Sequence, residues 1–346
     1  MTKRIVAIDD RGIDKNLMQG FDVLEKYGYE LTLVEKTVNE DELAYQNSML
    51  SVEVNGPDGT PISEEVFQYL DDAEIIITHF APVSRRMIEA AKNLKIIATL
   101  RTGMENINME AAKERGIKVI NAPGRAAVAV ADFTVAAMLC EIRNIARTDE
   151  DIKTGGWTKK YPNRTYSDNM CNLKVGLVGF GDIGRKIATR LKGFGTTILA
   201  YDPYCTKESI EAFGCVPVSL DELLEQADFV SLHVRLSPQT QNMFGAAEFA
   251  KMKPTAIFVN AARAGLVDEA AMIDALEQKK IGGAVLDVFR EEPLPVDHPL
   301  RKLKNVTLSA HLAGTDIGTF SGSIKIVADN LEQYFSGGEL KNVVNH

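Results

Sequence analysis

The chain has 346 residues, of which 45% are hydrophobic and 25% charged, a composition typical of a globular protein with room for two domains. Its net charge of −9 argues against nucleic acid or an anionic membrane as a partner, because both attract basic surfaces. The apolar runs are too short or too interrupted for a signal peptide or a membrane span. The four cysteines show no CxxC spacing, so we expect a cytoplasmic protein with reduced thiols, a zinc site being the remote alternative.

The first 120 residues alternate strand-like and helical runs. The strand-like runs are Arg4–Ile8, Glu30–Val34, Glu74–Thr78, Lys95–Leu100 and Ile117–Ile120. The helical runs between them are Lys15–Tyr27, Glu64–Leu70, Ser84–Asn93 and Met109–Arg115. This alternation predicts βαβ units and a parallel sheet covered by helices. The segment Asp41–Pro61 has no clear period and is predicted to be an excursion or a hairpin.

A second series of strand-like runs begins near Leu173 and predicts a second α/β sheet. Its strands are Lys174–Val178, Thr197–Tyr201, Phe229–His233, Ala256–Asn260, Gly283–Val288 and Val306–Ser309. A helix is predicted before this series at Ala126–Arg147, one within it at Asp268–Lys280, and one after it at Gly318–Phe335. Asp268 is expected to cap its helix.

A glycine-rich turn, Gly179-x-Gly181-x-x-Gly184, links the first strand of this series to an apolar-periodic helix. In such a turn one glycine forms the bend, one lets the backbone approach a pyrophosphate, and one lets helix and strand pack closely. The pyrophosphate would bind amides at the helix N-terminus, where the helix dipole favours negative charge. The turn therefore predicts a dinucleotide site, the alternative being glycines that only shape an α/β turn.

The acid Asp202 ends the next predicted strand, 18 residues after Gly184. This is close to the spacing at which a carboxylate binds the ribose hydroxyls of adenosine. A carboxylate there would repel a 2′-phosphate, and Pro203 and Tyr204 follow it rather than an arginine. We therefore predict NAD rather than NADP as the cofactor.

Polar side chains also follow the last three predicted strands: Arg263, then the acids Asp287, Glu291 and Glu292, then His311. Open α/β sheets bind ligands at the carboxyl ends of their strands, so an arginine, a carboxylate and a histidine are predicted to converge there. Each residue alone could instead be a salt-bridged arginine, a solvated acid or a structural histidine.

These segments resemble the D-isomer-specific 2-hydroxyacid dehydrogenase family over nearly the whole chain. The resemblance also includes Asn121–Arg125, Leu232-His233 and Asp297–Leu300. It implies a flavodoxin-like substrate domain (1–122 plus 312–346), a Rossmann NAD-binding domain (123–311) with a doubly wound parallel sheet, and a homodimer. It further implies hydride transfer between NAD(H) and a D-2-hydroxy acid/2-keto acid pair, in a cleft that excludes water.

The family assigns a role to each residue of the constellation. Arg263 corresponds to the arginine that binds the substrate carboxylate and polarises the reacting oxygen. His311 corresponds to the general acid/base, and Glu292 to the carboxylate that raises the pKa of this histidine. Glu291 and Asp287 are rival candidates, but the family places its acid five residues after the aspartate of the Leu-Asp-Val-Phe segment, which favours Glu292.

The resemblance to the family also predicts further binding residues. His233 is expected to line the cofactor site rather than to act chemically, and a loop after Leu100 resembles the one whose amides bind the substrate carboxylate. The predicted cofactor-binding residues are Gly179, Gly181, Asp182, Ile183, Gly184, Asp202, His233, Ala261 and Asp287. The predicted substrate-binding residues are His79, Arg101, Thr102 and Gly103, and no metal site is predicted.

Some positions depart from the family pattern. Arg101 stands where a small residue is common, Arg235 where proline is common, and Ala264 where glycine usually follows the arginine. With Arg125, the two arginines suggest extra positive charge and a substrate with a second anionic or strongly polar group, such as a phosphorylated or sugar-derived acid. The alternative is that these arginines face solvent or bind a cofactor phosphate.

The sequence leaves two other functions open. One is a D-3-phosphoglycerate dehydrogenase of serine synthesis, which is close in class. The other is a regulatory protein that senses NADH without significant turnover, which the acidic composition and the complete arginine, glutamate and histidine set disfavour.

Overall fold

A computed structural model of the protein describes residues 3–9, 15–35, 51–52 and 55–345. Two compact units divide the chain. The first unit is Met1–Arg125 with Asp316–His346, and the second unit is Ala126–Thr315. The domain boundaries expected from the sequence, after residues 122 and 311, stay predictions.

Strands form one sheet in each unit, and every strand pair in both sheets is parallel. In chain order the described strands are β1 Lys3–Asp9, β2 Tyr29–Glu35, β3 Ala73–Thr78, β4 Ile96–Thr99, β5 Lys118–Ile120, β6 Lys174–Val178, β7 Thr197–Tyr201, β8 Val216–Pro217, β9 Phe229–Leu232, β10 Ile257–Asn260, β11 Gly283–Leu286 and β12 Val306–Leu308.

Helices connect these strands. The described α-helices are α1 Lys15–Met18, α2 Arg85–Ala90, α3 Met109–Glu114, α4 Ala127–Ile142, α5 Ile145–Lys153, α6 Asp182–Lys192, α7 Lys207–Glu211, α8 Leu220–Gln226, α9 Ala246–Lys251, α10 Glu269–Glu277 and α11 Ile317–Phe335. Short 3-10 helices cover Gln19–Tyr27, Glu64–Tyr69, Met170–Asn172, Ala264–Leu266 and Pro299–Lys302.

The first sheet has the order β2-β1-β3-β4-β5, which is the flavodoxin-like order. The second has the order β12-β11-β10-β9-β6-β7-β8. Read from β8, this is the 3-2-1-4-5-6 order of dinucleotide-binding sheets with one more strand at the far edge. The predicted fold class, two α/β units with parallel sheets, is confirmed.

The first sheet is packed against a hydrophobic core on both faces, because successive apolar residues of its strands point to opposite faces. Ile5 and Ala7 of β1 pack with Ile324 and Leu331 of α11 on one face. Val6 and Ile8, which point the other way, pack in the cluster that contains Met87 and Ile88 of α2. A sheet buried on both faces needs apolar side chains at nearly every strand position, which is what the sequence supplies here.

The predicted helix Ala126–Arg147 is wrong in one respect, because it is two helices. Asn144 adopts a left-handed backbone with φ of 56° between α4 and α5. Its side chain donates a hydrogen bond to Asn163 at 2.7 Å. Asparagine tolerates this conformation better than most residues, so one helix ends before Asn144 and the next begins after it.

Two other segments differ from the sequence-based expectation. The edge strand β8 was not predicted, because two residues that include a proline give no period. Most of the predicted excursion Asp41–Pro61 lies outside the described residues. Its described part, 51–52 and 55–61, contains helical and turn residues and no strand of a hairpin.

A buried acid links α4 to the edge strand β12. Glu141 is 1% exposed, and both its carboxylate oxygens accept hydrogen bonds from Arg147 Nη2 at 2.9 Å. Thr307 Oγ1 on β12 donates to the same carboxylate at 2.5 Å. Burial raises the pKa of Glu141, and the charge of Arg147 opposes that shift. The charge of Arg147 therefore compensates the buried carboxylate of Glu141 inside the second unit.

Replacing Arg147 with methionine is expected to destabilise the protein by about 3–5 kcal/mol, because the buried carboxylate would lose its charged partner. The free energy of unfolding, measured by urea titration, reports this change. The matched control is Lys153→Ala, which removes an exposed pair with Asp149 at 2.7 Å and should cost at most about 1 kcal/mol. A loss for Arg147→Met no larger than that of the control would contradict the prediction.

Candidate active site

The glycine turn follows β6, beside β9, where the strand order of the second sheet reverses. Gly179 has φ of 99°, and a Cβ there would lie 2.7 Å from the carbonyl carbon and oxygen of His233. A Cβ at Gly184 would lie 2.4 Å from the carbonyl oxygen of Gly179. Only glycine fits at these two positions, and their role is to pack turn, helix and neighbouring strand together.

The middle glycine faces open space instead. A Cβ at Gly181 would meet no atom within 4 Å. Gly181 is the N-cap of α6, which begins with the predicted residues Asp182 and Ile183, and it has no side chain to cap the first-turn amides. Amides at an uncapped helix N-terminus, next to a position with room for close approach, fit a pyrophosphate.

The carboxylate of Asp202, just past β7, is bonded to the glycine turn itself. Its Oδ2 accepts a hydrogen bond from the Phe180 amide at 2.8 Å, and its Oδ1 accepts one from the Tyr204 amide at 2.8 Å. Each carboxylate oxygen has a second lone pair, so the acid can accept further bonds from ribose hydroxyls. The structure thus brings Asp202 and the glycine turn together, as the dinucleotide prediction requires.

His233 lies just past β9, next to Gly179. Its Nε2 shares a 2.8 Å hydrogen bond with Ser231 Oγ, and its Nδ1 is buried with no hydrogen-bond partner among the described residues. Burial lowers the pKa of His233 to about 3. A histidine that stays neutral in this way is unsuited to proton transfer near neutral pH, which agrees with a place at the cofactor site rather than in the chemistry.

An asparagine shapes the turn that carries Arg263, after β10. The Asn260 side chain is 2% exposed, accepts a hydrogen bond from the Ala262 amide and donates one to the Arg263 carbonyl, both at 3.0 Å. The Arg263 side chain extends from this turn and donates to the Ala262 carbonyl at 2.8 Å. Ala261, predicted to contact the cofactor, forms part of the same turn. Sequence reasoning missed Asn260, although its spacing is that of an Asx turn.

The histidine and the acid of the constellation are in contact. His311 Nδ1 lies 2.8 Å from Glu292 Oε2, and the other oxygen of Glu292 accepts a hydrogen bond from the Phe289 amide at 2.9 Å. The hydrogen bond to Glu292 raises the pKa of His311, against the lowering effects of burial and of the Arg263 charge. Burial acts to raise the pKa of Glu292, but the bonds from His311 and Phe289 outweigh it, so that pKa is lowered.

The rival acids occupy different places. Asp287 is fully buried and accepts hydrogen bonds from Ser309 Oγ at 2.6 Å and from the amides of Leu312 and Ala313 at 2.9 Å. It therefore holds the loop around His311, whose backbone has φ of 53°. The cofactor role predicted for Asp287 stays a prediction. Glu291 is exposed, and the hydrogen-bond partner of His311 is Glu292 instead.

The predicted substrate residues lie in the first unit, after β3 and β4. The Arg101 guanidinium stacks on the Phe80 ring at 4.0 Å and lies 3.7 Å from Glu105. Thr102 Oγ1 donates to the Ala122 carbonyl at 3.3 Å.

Two further residues of this region are His79 and Gly103. His79 is 1% exposed, and its Nε2 lies 3.3 Å from Arg125 Nη1. A Cβ at Gly103 would lie 2.3 Å from a Glu105 carboxylate oxygen, so this position requires glycine unless Glu105 moves. Arg235, by contrast, is an exposed residue of the second unit, so the structure does not gather the three arginines into one unit.

The remaining chemistry of the described residues is limited. They contain no cluster of three His, Cys, Asp or Glu side chains that could hold a metal ion. All four cysteines are free. No helix in the described part of the chain is long and apolar enough to cross a membrane.

The fold and the site define a class: a protein with a dinucleotide-binding sheet whose strand ends carry an arginine and a histidine–carboxylate pair. Residues 135–313 match the NAD binding domain of the D-isomer specific 2-hydroxyacid dehydrogenases. The chain is 38% identical to a D-3-phosphoglycerate dehydrogenase of Methanocaldococcus jannaschii over 90% of its own length and 59% of that protein's. It is 37% identical to a glyoxylate reductase of Korarchaeum cryptofilum, covering 82% of this chain and 86% of that one.

A solved structure has the same fold. The D-isomer specific 2-hydroxyacid dehydrogenase of Lactobacillus delbrueckii ssp. bulgaricus, in its NAD complexed form, superimposes with a TM-score of 0.78 at 24% identity, covering 99% of this chain and 100% of that one. The chain belongs to the D-isomer specific 2-hydroxyacid dehydrogenase family, and its second unit contains the family's NAD-binding domain. It spans about three fifths of the length of the Methanocaldococcus phosphoglycerate dehydrogenase.

Gly181→Ala is expected to weaken NADH binding by roughly tenfold or more, since its methyl group would occupy the space into which the pyrophosphate comes. Folding should be unaffected, because that methyl group meets no protein atom within 4 Å. Fluorescence titration with NADH measures the affinity. Gly322→Ala, which also meets nothing within 4 Å but lies in α11, is the control. Unchanged NADH affinity in Gly181→Ala would contradict a pyrophosphate site at the N-terminus of α6.

Proposed function

We propose that this protein is an NAD-dependent oxidoreductase that interconverts a D-2-hydroxy acid and the corresponding 2-keto acid. The observation that carries the proposal is the 2.8 Å contact between His311 and Glu292, three and six residues beyond strands of the NAD-binding sheet. Arg263, on the neighbouring turn, acts electrostatically on both groups. Relatives named as reductases and dehydrogenases of such acids support the same reaction class.

The three side chains divide the work. Arg263 binds the substrate carboxylate and polarises the reacting oxygen through its planar guanidinium. Because His311 Nδ1 faces Glu292, Nε2 is the nitrogen that gives a proton to the keto oxygen during reduction. NADH, when bound, supplies the hydride. Glu292 keeps the imidazolium available by raising the pKa of His311.

The cofactor proposal rests on the glycine turn and Asp202, which fit a pyrophosphate and a ribose with free hydroxyls. The carboxylate of Asp202 would repel a 2′-phosphate, which favours NAD over NADP. Ala261, Asp287 and His233 remain the other proposed contributors to this site.

For the substrate we propose a 2-keto acid with a second anionic or strongly polar group. Arg101 and Arg125 support this proposal, because both lie just after strand ends of the first unit and one is held by stacking on Phe80. The amides of Thr102 and Gly103 are the proposed donors to the substrate, with His79 close to Arg125. The keto acid formed by oxidation of D-3-phosphoglycerate is the candidate that the names of relatives suggest; glyoxylate is the small alternative.

We also propose that the protein works as a homodimer in the cytoplasm. The second unit exposes large apolar side chains on and next to α4 and α5, namely Val128, Ile145, Ile152 and Trp157. Apolar side chains of this size that remain exposed favour association. An NADH sensor without turnover is disfavoured by the paired His311 and Glu292, which a binding role would not need.

NADH consumption with a panel of 2-keto acids tests the reaction. Glyoxylate, hydroxypyruvate, pyruvate, phosphohydroxypyruvate and sugar-derived acids separate small substrates from those with a second anionic group. We expect turnover of at least one member, falling by roughly 10²–10⁴-fold in His311→Asn. Equal activity on pyruvate and on its phosphorylated analogues would overturn the second-anion proposal. NADH binding without turnover of any acid would favour the sensor.

The pH profile tests the role of Glu292. Reduction needs protonated His311, so kcat/KM for the keto acid should fall as pH rises through the raised pKa of His311. Glu292→Gln removes the main cause of the raised pKa, so this fall should move to lower pH. The rise of the oxidation rate with pH should move in the same direction. Glu291→Gln is the control, and a profile that shifts equally in both variants would exclude the proposed role.

A further inference from the structure

One exposed arginine, Arg290, connects the loop of Glu292 to the turn that follows Arg263. Arg290 lies in the loop after β11 that also carries Glu292. Its Nη2 donates a hydrogen bond to the Val267 carbonyl at 2.6 Å and another to Asn242 Oδ1. Neither acceptor belongs to its own loop.

Both acceptors are joined to the turn that follows Arg263. Val267 ends the 3-10 helix Ala264–Leu266, and its amide donates to the Ala264 carbonyl at 3.1 Å. The Asn242 amide donates to the Gly265 carbonyl at 2.9 Å. A guanidinium that holds Val267 and Asn242 therefore fixes the Arg263 turn from its far end.

The loops of the site differ in how they are held together. The loop of Glu292 is tied to the loop of His311 by the buried acid Asp287 and by the 2.8 Å contact itself. Arg263 is an exposed side chain whose hydrogen bond goes to the carbonyl of its own neighbour, Ala262. Its position relative to His311 therefore depends on how its turn is held.

We propose that Arg290 is a positioning residue, which sets the distance of the Arg263 guanidinium from the His311–Glu292 pair. This inference rests on the proposed function, in which Arg263 and His311 act on the same substrate oxygen. Two groups that must meet at one oxygen lose much of their effect when one of them is displaced by an ångström. Arg290 touches none of the three side chains and acts through the turn.

The chemistry of this arrangement gives a signature. Glu292, Arg263 and Asp287 are the charged groups that act on His311, and of these Arg263 lowers its pKa. If the Arg263 turn moves away, that lowering weakens and the pKa of His311 rises. Loss of Glu292 shifts it the opposite way, so the two effects are distinguishable by sign.

The test is the pKa of His311, measured by NMR on histidine-labelled protein and assigned with His311→Asn. Arg290→Met should raise this pKa in the direction of Arg263→Met, which marks the full effect of removing the charge. Arg290→Lys, which keeps a charged donor, should lie between wild type and Arg290→Met. Asn242→Gly removes one acceptor but permits the left-handed φ of 51°, and it should give a smaller rise.

The matched control is Arg301→Met. Arg301 is also exposed and also donates to backbone carbonyls, but its acceptors are Leu294 and Pro295 in the long loop after β11 rather than residues of the Arg263 turn. Its loss should not raise the pKa of His311, because any disturbance of the loop of Glu292 acts in the opposite direction. An unchanged pKa in Arg290→Met, with normal thermal unfolding, would overturn the proposal, as would equal shifts in both methionine variants.

Turnover gives an independent measurement. With an active keto acid, kcat of Arg290→Met should fall by roughly tenfold to a hundredfold while KM changes much less, because the carboxylate-binding group remains present. If no acid is turned over by the wild type, the proposed reaction fails, but the NMR comparison still decides whether Arg290 positions Arg263. A kcat equal to that of wild type would count against Arg290.

Discussion

The buried carboxylate of Asp287 determines where the candidate general acid lies. It accepts three hydrogen bonds from Ser309, Leu312 and Ala313, and these residues surround His311 on both sides. His311 itself has a left-handed backbone, with φ of 53°. This conformation costs a non-glycine residue about 1–3 kcal/mol, and charge-assisted hydrogen bonds to neighbouring amides can offset a cost of that size. The conformation turns the imidazole toward Glu292. The hydrogen bonds of Asp287 therefore fix the geometry of the His311–Glu292 contact, on which the proposed proton transfer depends.

Strand register does the rest of the assembly in the second unit. Asn260 pairs with Leu286, and Leu286 pairs with Leu308, so three parallel strands end level with one another. The loops that follow them begin at the same edge of the sheet, and each contributes one member of the constellation. A parallel sheet thereby brings together residues that are up to 48 positions apart in sequence, from Arg263 to His311. Two polar side chains, Asn260 and Arg290, then refine where the first of these loops lies.

Two histidines in the same unit show how environment separates their functions. His233 is half-buried, its Nδ1 is fully buried, and burial lowers its pKa to about 3. His311 is paired with a carboxylate, and its pKa is raised. Of these two histidines His311 is therefore the one suited to proton transfer, while His233 stays neutral beside the glycine turn. Opposite shifts of like groups within one unit are a recognisable pattern of acid–base sites.

Local pattern predicted most of the elements, because apolar period, glycine spacing and helix caps are properties of short segments. Asp268 indeed caps its helix, and the glycine turn joins strand to helix where the motif predicts it. The sequence also contained the family resemblance, which supplied Arg263, Glu292 and His311 as candidates. The resemblance favoured Glu292 as the acid beside the histidine, and the two side chains are in contact. Tertiary structure alone decided that Asp287 holds the loop of His311, that Arg290 reaches Val267, and that a helix breaks at Asn144. These contacts join residues whose proximity depends on sheet register and loop conformation, and neither is encoded in the period of any single segment.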